Sequence, residues 1–124
     1  MDSARLPTHL IVSALVRRAN LVGVSAFILQ KGDAERGDLL VKVARLDGTA
    51  LALRPGHSID GGRVFQDLAL QGVGPDEAGV DAYIARAQER DGDLWIVEIE
   101  DRNGRHFLDD PVEFSPNSPF LPDV

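Results

Sequence analysis

A chain of 124 residues has the usual length of one domain, and its 44% hydrophobic residues are enough to build a core without disulfide or metal staples. No apolar run approaches the length of a membrane span, and the absence of cysteine excludes disulfides, thiol catalysis and cysteine-ligated metal sites. The 20 acidic and 13 basic residues give a net charge of −7, which repels phosphate backbones and disfavours binding to nucleic acid or anionic membranes.

The start of the chain lacks the features of a secretion signal. No basic segment leads into an apolar one, and the apolar run of residues 10–16 is short and broken by Ser13. The chain also has no cysteine for the disulfides that mark oxidising compartments. We therefore expect a cytoplasmic protein without a membrane segment.

One amphipathic helix is predicted near the N-terminus. Thr8 follows Pro7 and is expected to cap a helix that runs to about Asn20. The apolar residues recur at helical spacing and predict a stripe that faces the core. This stripe consists of Leu10, Ile11, Ala14, Leu15 and Ala19.

Four strands are predicted after this helix. Residues 24–30 are apolar on both faces, which is the pattern of a strand covered on two sides and favours a place beside the tryptophan strand described below. Residues 38–46 and 49–54 predict a hairpin, because Asp47-Gly48 suits the positive φ angles that a type I′ turn requires at both central positions. A weaker alternation in residues 63–70, beyond a glycine-rich loop, predicts an edge strand.

A second helix is predicted after the strands. Pro75 suits its first turn, and Asp76 and Glu77 complement the positive end of the helix dipole. The helix is expected to end near Arg90, before Gly92. Its core stripe consists of Val80, Tyr83, Ile84 and Ala87.

The segment after this helix predicts the central strand of the sheet. The face that carries Trp95 is apolar throughout, whereas the opposite face begins apolar and becomes acidic at Glu98 and Glu100. The first half of the strand is therefore apolar on both sides, which indicates a strand covered by two layers. Asn103-Gly104 predicts a tight turn into a returning strand.

These elements predict an α+β domain. Its sheet is expected to be largely antiparallel or mixed, with about five strands packed with two helices in the order α-β-β-β-β-α-β. The domain should span residues 1–109, and the proline-rich residues 110–124 predict an extended tail. Strands that are apolar on both faces need more cover than two helices easily supply, unless the helices lie on opposite faces. The tail or a second copy of the chain is the other source of cover, which makes a homodimer a hypothesis.

The acidic end of the tryptophan strand is a candidate metal site. Glu98 and Glu100 share a face, Asp101 follows, and His106 returns nearby across the predicted turn. Carboxylate and imidazole groups that converge can bind a divalent ion, which would be the only cofactor of the protein. The simpler explanation is a strand end that emerges into water. Two-metal nucleases often add a lysine two residues on, but position 102 is an arginine and the nearest lysine is distant in sequence.

Basic side chains provide a second candidate site. Arg17 and Arg18 of the first helix and Lys42 of a neighbouring strand could form a patch for an anion or an acidic partner. Arg18 lies nearer the buried side of the helix and is expected to pair with a carboxylate such as Glu98. Scattered solubilising charges are the simpler explanation of these residues as well.

Several segments resemble a known bacterial family. They are Leu15-Val16-Arg17-Arg18-Ala19, Lys31-Gly32-Asp33-Ala34, Leu40-Val41-Lys42-Val43, Asp47-Gly48-Thr49-Ala50, Val80-Asp81-Ala82-Tyr83, residues 93–101 and residues 104–108. Over residues 6–108 the chain resembles the small proteins catalogued as domain of unknown function 1491. The resemblance implies no established activity, cofactor or catalytic residue. The tail from Asp110 onward is expected to depart from these relatives.

The expected function is binding rather than catalysis. We expect a homo-oligomer or a protein with a protein partner, without a cofactor and without nucleic acid or membrane as its partner. The alternative is a metal-dependent hydrolase or nuclease-like enzyme that uses the acidic strand end.

Overall fold

The computed structural model describes residues 6–122. In chain order its elements are α1 (Thr8–Leu21), β1 (Ser25–Gln30), β2 (Leu39–Ala44), β3 (Ala50–His57), β4 (Arg63–Asp67), a 3-10 helix (Leu68–Gln71), α2 (Glu77–Arg90), β5 (Trp95–Glu100) and β6 (Val112–Glu113). The first five residues and the last two residues of the tail lie outside the described range. The expectation of no secretion signal rests partly on those first five residues. No helix within that range is long and apolar enough to cross a membrane.

The strands form one mixed sheet of six strands in the order β1-β5-β2-β3-β4-β6. β5 pairs antiparallel with β1 and parallel with β2, and β2, β3 and β4 form an antiparallel meander. β6 lies parallel to β4. The predicted α+β class and element order are confirmed, with β6 as one strand more than expected.

The tryptophan strand lies inside the sheet, as predicted. β5 has a neighbour on each side, and Trp95 is only 3% exposed. Because side chains alternate along a strand, the two faces of β5 pack against different helices. Trp95, Val97 and Ile99 belong to the core under α1, and Leu94 and Ile96 belong to the core under α2.

The two helices cover opposite faces of the sheet and produce two separate cores. The α1 core is built from large side chains, which include Leu15, Leu39, Leu53, Phe65, Trp95 and Phe120. The α2 core is aliphatic, and its buried residues are Leu40, Ala50, Ala52, Leu68, Val80, Ile84, Ala87, Leu94 and Ile96. The stripe predicted for α2 is therefore confirmed, and covering both faces explains why several strands are apolar on both sides.

Helix α1 differs from its prediction in its cap and in its buried face. Pro7 occupies the capping position and no side chain caps the helix. Thr8 is the first helical residue, and its hydroxyl donates a hydrogen bond to the carbonyl of Gly37 at 2.5 Å. The buried side chains of α1 are Thr8, Val12, Leu15 and Ala19, whereas Leu10 and Ala14 of the predicted stripe are exposed. The apolar surface of α1 therefore extends beyond the part that the sheet covers.

Two predicted turns differ from the observed ones. The β2–β3 hairpin is confirmed, but positive φ angles occur at Leu46 and Gly48, so the turn is not the expected type I′ turn centred on Asp47-Gly48. The strand expected to return after Gly104 does not form, and residues 104–108 have no regular structure. Both sides of β5 are already occupied, by β1 and β2, so a returning strand has no free edge of β5 to pair with.

The two sheet edges differ from the prediction. β1 neighbours β5 as expected, but it is an edge strand, because β5 is inserted between β1 and β2. Phe27, Ile28 and Leu29 of β1 are consequently exposed rather than covered. β4 ends at Asp67, where the 3-10 helix begins, and it is followed at the edge by β6.

Residues 110–122 pack across the α1 core. Apart from β6, this part of the tail contains no helix or strand. Phe120 is 7% exposed, and the guanidinium of Arg45 lies over its ring and donates to the carbonyl of Pro119 at 2.9 Å. The buried carboxylate of Asp67 accepts a hydrogen bond from the N–H of Ser115 at 3.0 Å. The tail thereby covers part of the α1 face.

Candidate functional site

A cleft of about 470 Å³ opens beside the N-terminal half of α1. It lies at the end of the sheet where β2 and β4 begin and β3 ends. One wall is formed by Leu6, Leu10, Ile11 and Ala14. Leu39, Val64, Phe65 and Leu108 provide further apolar surface. Leu10, Ile11 and Ala14, which were expected in the core, therefore line an open cleft.

Charged and polar groups stand among these apolar residues. They are Arg18, Asp38, His57, Arg63, Asp109 and Asp110. Most ligand clefts combine a largely apolar surface with a few polar groups that orient the ligand. The cleft therefore has the composition expected of a binding site, and it brings together residues from both ends of the chain.

Arg18 binds the segment that follows β5, and residues 108–110 of that segment form one wall of the cleft. Its Nε and Nη2 atoms donate to the carbonyl oxygen of Phe107 at 2.8 and 2.5 Å, and its Nη1 atom lies 3.5 Å from the carboxylate of Asp109. Phe107 has a φ angle of +60°, a left-handed conformation that costs about 1–2 kcal/mol in a residue other than glycine. Such residues persist where surrounding contacts hold them and are concentrated at binding sites. Arg18 thus binds Phe107 and Asp109 instead of its expected partner, Glu98.

A short series of hydrogen bonds connects the cleft to the opposite face of the sheet. The carboxylate of Asp38 accepts from Arg54 at 2.6 Å, and Arg54 also donates to the hydroxyl of Tyr83 at 3.0 Å. Tyr83 belongs to α2, so these contacts fix Asp38 in orientation and balance its charge. The carboxylate of Asp38 therefore lies on the α2 side of the sheet, while the residue itself borders the cleft at the start of β2.

Close backbone packing shapes the cleft beside Thr8. A methyl group at Gly37 would overlap the carbonyl oxygen of Asp93, so only glycine fits there without movement of the backbone. The Thr8 hydroxyl binds the carbonyl of the same glycine. This contact joins the first turn of α1 to the segment that enters β2.

Of the predicted metal site, only Glu98 lies near a buried lysine, and the other carboxylates around that lysine, Glu77 and Asp81, come from α2. Lys42 is 3% exposed and stands opposite Glu98 in the parallel β2–β5 register. Its Nζ atom lies 2.7 Å from the carboxylates of Glu77 and Asp81 and 3.5 Å from that of Glu98. The ammonium group occupies the position among these carboxylates that a bound cation would take.

The protonation of this cluster follows from burial and pairing. Burial alone would lower the pKa of Lys42, but the hydrogen bonds to Asp81 and Glu77 and the charge of Glu98 outweigh burial and raise that pKa. Burial raises the pKa of Glu98, and Lys42 offsets part of this rise. The lysine stays charged, so the cluster is an ion-pair network on the α2 side of the sheet.

The remaining members of the predicted metal site have other partners. The carboxylate of Asp101 accepts hydrogen bonds from the side chain and the backbone of Arg105, which hold its pKa below the ordinary value. The Nδ1 atom of His106 accepts from the N–H of Leu108 at 3.0 Å, and burial lowers the pKa of the imidazole. Glu100 is half-buried. Across residues 6–122, no three His, Asp or Glu side chains stand close enough together to hold a metal ion.

The predicted basic patch is not assembled either. Arg17 is exposed on α1, and Arg18 is partly buried beside the cleft. Lys42 lies on the α2 side of the sheet, with its charge already paired to three carboxylates. Since the sheet separates Lys42 from the arginines, only Arg18 of the three reaches the cleft.

Most cleft residues carry no sequence motif. One signal was present in α1, whose apolar residues cover more than the single face that a sheet can bury. A second signal was the glycine-rich loop between His57 and Arg63, because loops that join rigid strands often carry binding residues. Neither signal identifies the cleft without the fold.

A comparison with protein families finds one match over most of the chain. The family described as Protein of unknown function (DUF1491) matches residues 6–109, which include every residue of the cleft except Asp110. No curated protein matches this chain.

Solved structures of similar proteins have the same fold. The crystal structure of a DUF1491 family protein from Caulobacter crescentus CB15 is 45% identical, with a TM-score of 0.77, and the match covers 88% of this chain and 100% of that one. An NMR structure of a DUF1491 family protein from Caulobacter crescentus CB15 is also 45% identical, with a TM-score of 0.75 and coverage of 90% and 99%. The solution structure of protein Atu0922 from A. tumefaciens is 26% identical, with a TM-score of 0.68 and coverage of 93% and 100%. The resemblance drawn from the sequence segments is confirmed, and the chain belongs to the DUF1491 family of proteins of unknown function.

Proposed function

We propose that this protein is a cytoplasmic, non-catalytic binding protein whose cleft takes a small ligand with an apolar body and a polar end. The observation that carries the proposal is the apolar wall of α1, where Leu10 is 46% exposed and Ala14 is exposed toward a cleft of about 470 Å³. That volume lies within the range of about 300–1,000 Å³ that is typical of ligand pockets.

The physical argument is that the cleft offers both affinity and orientation. Apolar surface that a ligand covers contributes roughly 25 cal/mol for each Å² removed from water. Arg18 is held by its contacts to Phe107 and Asp109, so it loses little freedom when a ligand binds beside it. Preorganised polar groups next to an open apolar wall favour a ligand that has both characters.

The metal-dependent hydrolase has less support from this geometry. Its candidate carboxylates Glu98 and Asp101 are engaged by Lys42 and Arg105, respectively. A thermal-shift panel of divalent ions tests it directly, because an ion at one hundred times its Kd stabilises the folded protein by about 2.7 kcal/mol. A specific, saturable shift with one ion would favour the hydrolase over the proposed binding protein.

The proposed cleft function is tested by filling the cleft. The variant Ala14→Trp places an indole on the cleft wall, and Ala85→Trp adds the same side chain at an exposed position of α2, outside the cleft residues. The probe is the amphipathic dye 1-anilinonaphthalene-8-sulfonate, followed by its own fluorescence. We expect saturable binding to the parent protein and to Ala85→Trp, and at least about tenfold weaker binding to Ala14→Trp. Equal binding by both variants, or none by the parent, would contradict the proposal.

A further inference from the structure

A second, smaller pocket of about 190 Å³ lies on the α2 side of the sheet, between α2 and β3. Its polar lining consists mainly of Arg54 from β3 and of Tyr83, Arg86 and Arg90 from α2. Residues three or four apart face the same side of a helix, so the three α2 side chains form one stripe along the pocket. Pockets that hold drug-sized ligands measure about 300–1,000 Å³, so this arginine pocket suits a single small group.

The charge of the arginine pocket is opposite to that of the whole chain. The chain has 20 acidic and 13 basic residues, yet three arginines line the pocket beside a single carboxylate, that of Asp91. This carboxylate accepts a hydrogen bond from the N–H of Asp93 at 2.9 Å, and it forms no ion pair with the arginines. Positive charge gathered in a concave surface attracts anions.

Arg86 and Arg90 repel one another across one turn of α2. Neither pairs with a carboxylate among residues 6–122, not even with the nearby Glu89. Like charges four residues apart destabilise a helix. Arg90 lies in the last turn and complements the negative end of the helix dipole, but Arg86 precedes that turn, where the effect of the dipole has faded. An anion bound between the two guanidinium groups would remove a repulsion that the described residues leave in place.

The inner wall of the arginine pocket is fixed before any ligand binds. The side chain of Arg54 is 28% exposed and donates to the Tyr83 hydroxyl at 3.0 Å and to the Asp38 carboxylate at 2.6 Å. These bonds use two of the five N–H groups of the guanidinium, and the others stay available. The Tyr83 oxygen accepts from Arg54, so its own proton is available for donation. Asp38 balances the charge of Arg54, and the net positive charge of the pocket therefore comes from the exposed Arg86 and Arg90.

We propose that the arginine pocket binds a phosphate group, either as the free ion or as part of a small phosphate ester. Guanidinium groups match the oxygens of phosphate in pairs, and bonds between two ionised groups are stronger than neutral ones. A phosphate offers more charge and more acceptor oxygens than a single carboxylate, so it uses donors on both the inner wall and the rim. The cleft lies on the α1 side of the sheet, so the two sites are separate.

The first experiment titrates the full chain with sodium phosphate, with sodium chloride added to keep the ionic strength constant. The amide NMR signals of residues 83–91 report on the pocket, and we expect them to shift saturably in the parent protein. Arg86→Gln should raise the dissociation constant at least about tenfold, because it removes a charged donor. The matched control Arg17→Gln removes the same charge from an exposed arginine of α1 and should bind as the parent does. No saturable shift in the parent, or equal weakening by both variants, would overturn the proposal.

The second experiment separates a built site from general attraction to positive charge. Tyr83→Phe removes one hydroxyl donor and leaves the charge of the protein unchanged, so we expect a dissociation constant about three to ten times higher. The amide spectrum outside residues 83–91 checks that each variant is folded. Parent-like affinity of Tyr83→Phe would mean that phosphate is held only by surface charge, and would overturn the assignment of the pocket.

The same titration with glycerol 3-phosphate distinguishes the two sources of the phosphate group. Binding as tight as that of inorganic phosphate, or tighter, identifies an ester as the occupant, whereas weaker binding identifies the free ion. Both results require that Arg86→Gln weakens the probe that binds. An affinity for both probes that Arg86→Gln leaves unchanged would place them elsewhere on the protein and contradict the proposal.

Discussion

The two faces of the sheet are covered by different elements and to different extents. On the α2 face, one helix covers a core of aliphatic side chains, and Lys42 on that face is paired with carboxylates. On the α1 face, the helix covers only part of a core of large side chains, and the tail adds Phe120. A cleft of about 470 Å³ is left at the end that neither element reaches. The α2 face has only a smaller pocket of about 190 Å³, beside Tyr83 and Arg90, so the opening on the α1 face is the larger of the two.

The difference shows where structural and functional roles separate. A buried lysine among carboxylates is a common pattern of active sites, but here its charge is balanced within the protein, and Lys42 lines neither the cleft nor the smaller pocket on the α2 face. On the α1 face the polar groups border a cavity that can admit a ligand. We therefore expect substitutions of Lys42 and its carboxylate partners to change stability alone, and substitutions around the cleft to change binding.

The largest expected effect comes from the centre of the α1 core. Trp95 is 3% exposed, and its Nε1 atom donates to the carbonyl of Asp33 at 2.7 Å. Trp95→Ala removes this bond and leaves a cavity, so it should lower the free energy of unfolding by about 3 to 5 kcal/mol. Urea denaturation followed by circular dichroism measures this loss, since the variant has no tryptophan to report by fluorescence.

An exposed residue of similar character supplies the control for this variant. Ile59 is fully exposed, and Ile59→Ala should change the free energy of unfolding by less than about 0.5 kcal/mol. Comparable losses for Trp95→Ala and Ile59→Ala would contradict the placement of the indole in the core.

A smaller loss is expected on the α2 face. Lys42→Met keeps most of the side-chain volume but leaves the charge of Glu98 buried without its cation. Glu77 and Asp81 are more exposed and can turn to water, so we expect a loss of about 2 to 3 kcal/mol rather than that of a fully buried pair. Dye binding to the cleft should be unchanged. Weaker dye binding by this variant would contradict the expectation that the two faces of the sheet act independently.

The same variant should remove a pH dependence. The folded protein raises the pKa of Lys42, so its contribution to stability is fully present below the ordinary pKa of 10.5 and is lost as the pH rises above that value. The difference in unfolding free energy between the parent and Lys42→Met should therefore shrink above about pH 10.5. Denaturation curves at a series of alkaline pH values measure it, and a constant difference would argue against the pairing.

The sequence predicted elements far better than it predicted their neighbours. Alternation around Trp95 and the stripe of Val80, Ile84 and Ala87 identified the two-sided sheet and α2, because these patterns are local. The contact between Lys42 and Glu98 depends on a parallel pairing between strands that are far apart in the chain. No local pattern encodes that pairing, so a lysine dismissed as distant in sequence became the partner of the acidic strand.

The open surfaces were the hardest features to predict. The residues of β1 are apolar on both faces, which is typical of a central strand, yet the insertion of β5 beside it leaves β1 at the edge. The pattern of α1 marks Leu10 and Ala14 as apolar but does not show what covers them. Periodicity reports which side chains avoid water in general, and only the packed fold shows where cover is missing.

The smallest effect compares two hydroxyl groups on α1. The Thr8 hydroxyl donates to the carbonyl of Gly37 within the buried wall of the cleft, whereas the Ser13 hydroxyl donates to the carbonyl of His9 on the exposed side of the helix. Thr8→Val keeps the branched shape and leaves that carbonyl without its donor, so we expect a loss of about 1 kcal/mol. Ser13→Ala should change the free energy of unfolding by less than about 0.5 kcal/mol, because water replaces the exposed bond. Thermal unfolding of both variants measures the contrast. Equal effects would mean that this end of the α1 face is as accessible to water as the outer surface of the helix, and that the cleft has no fixed wall beside Thr8.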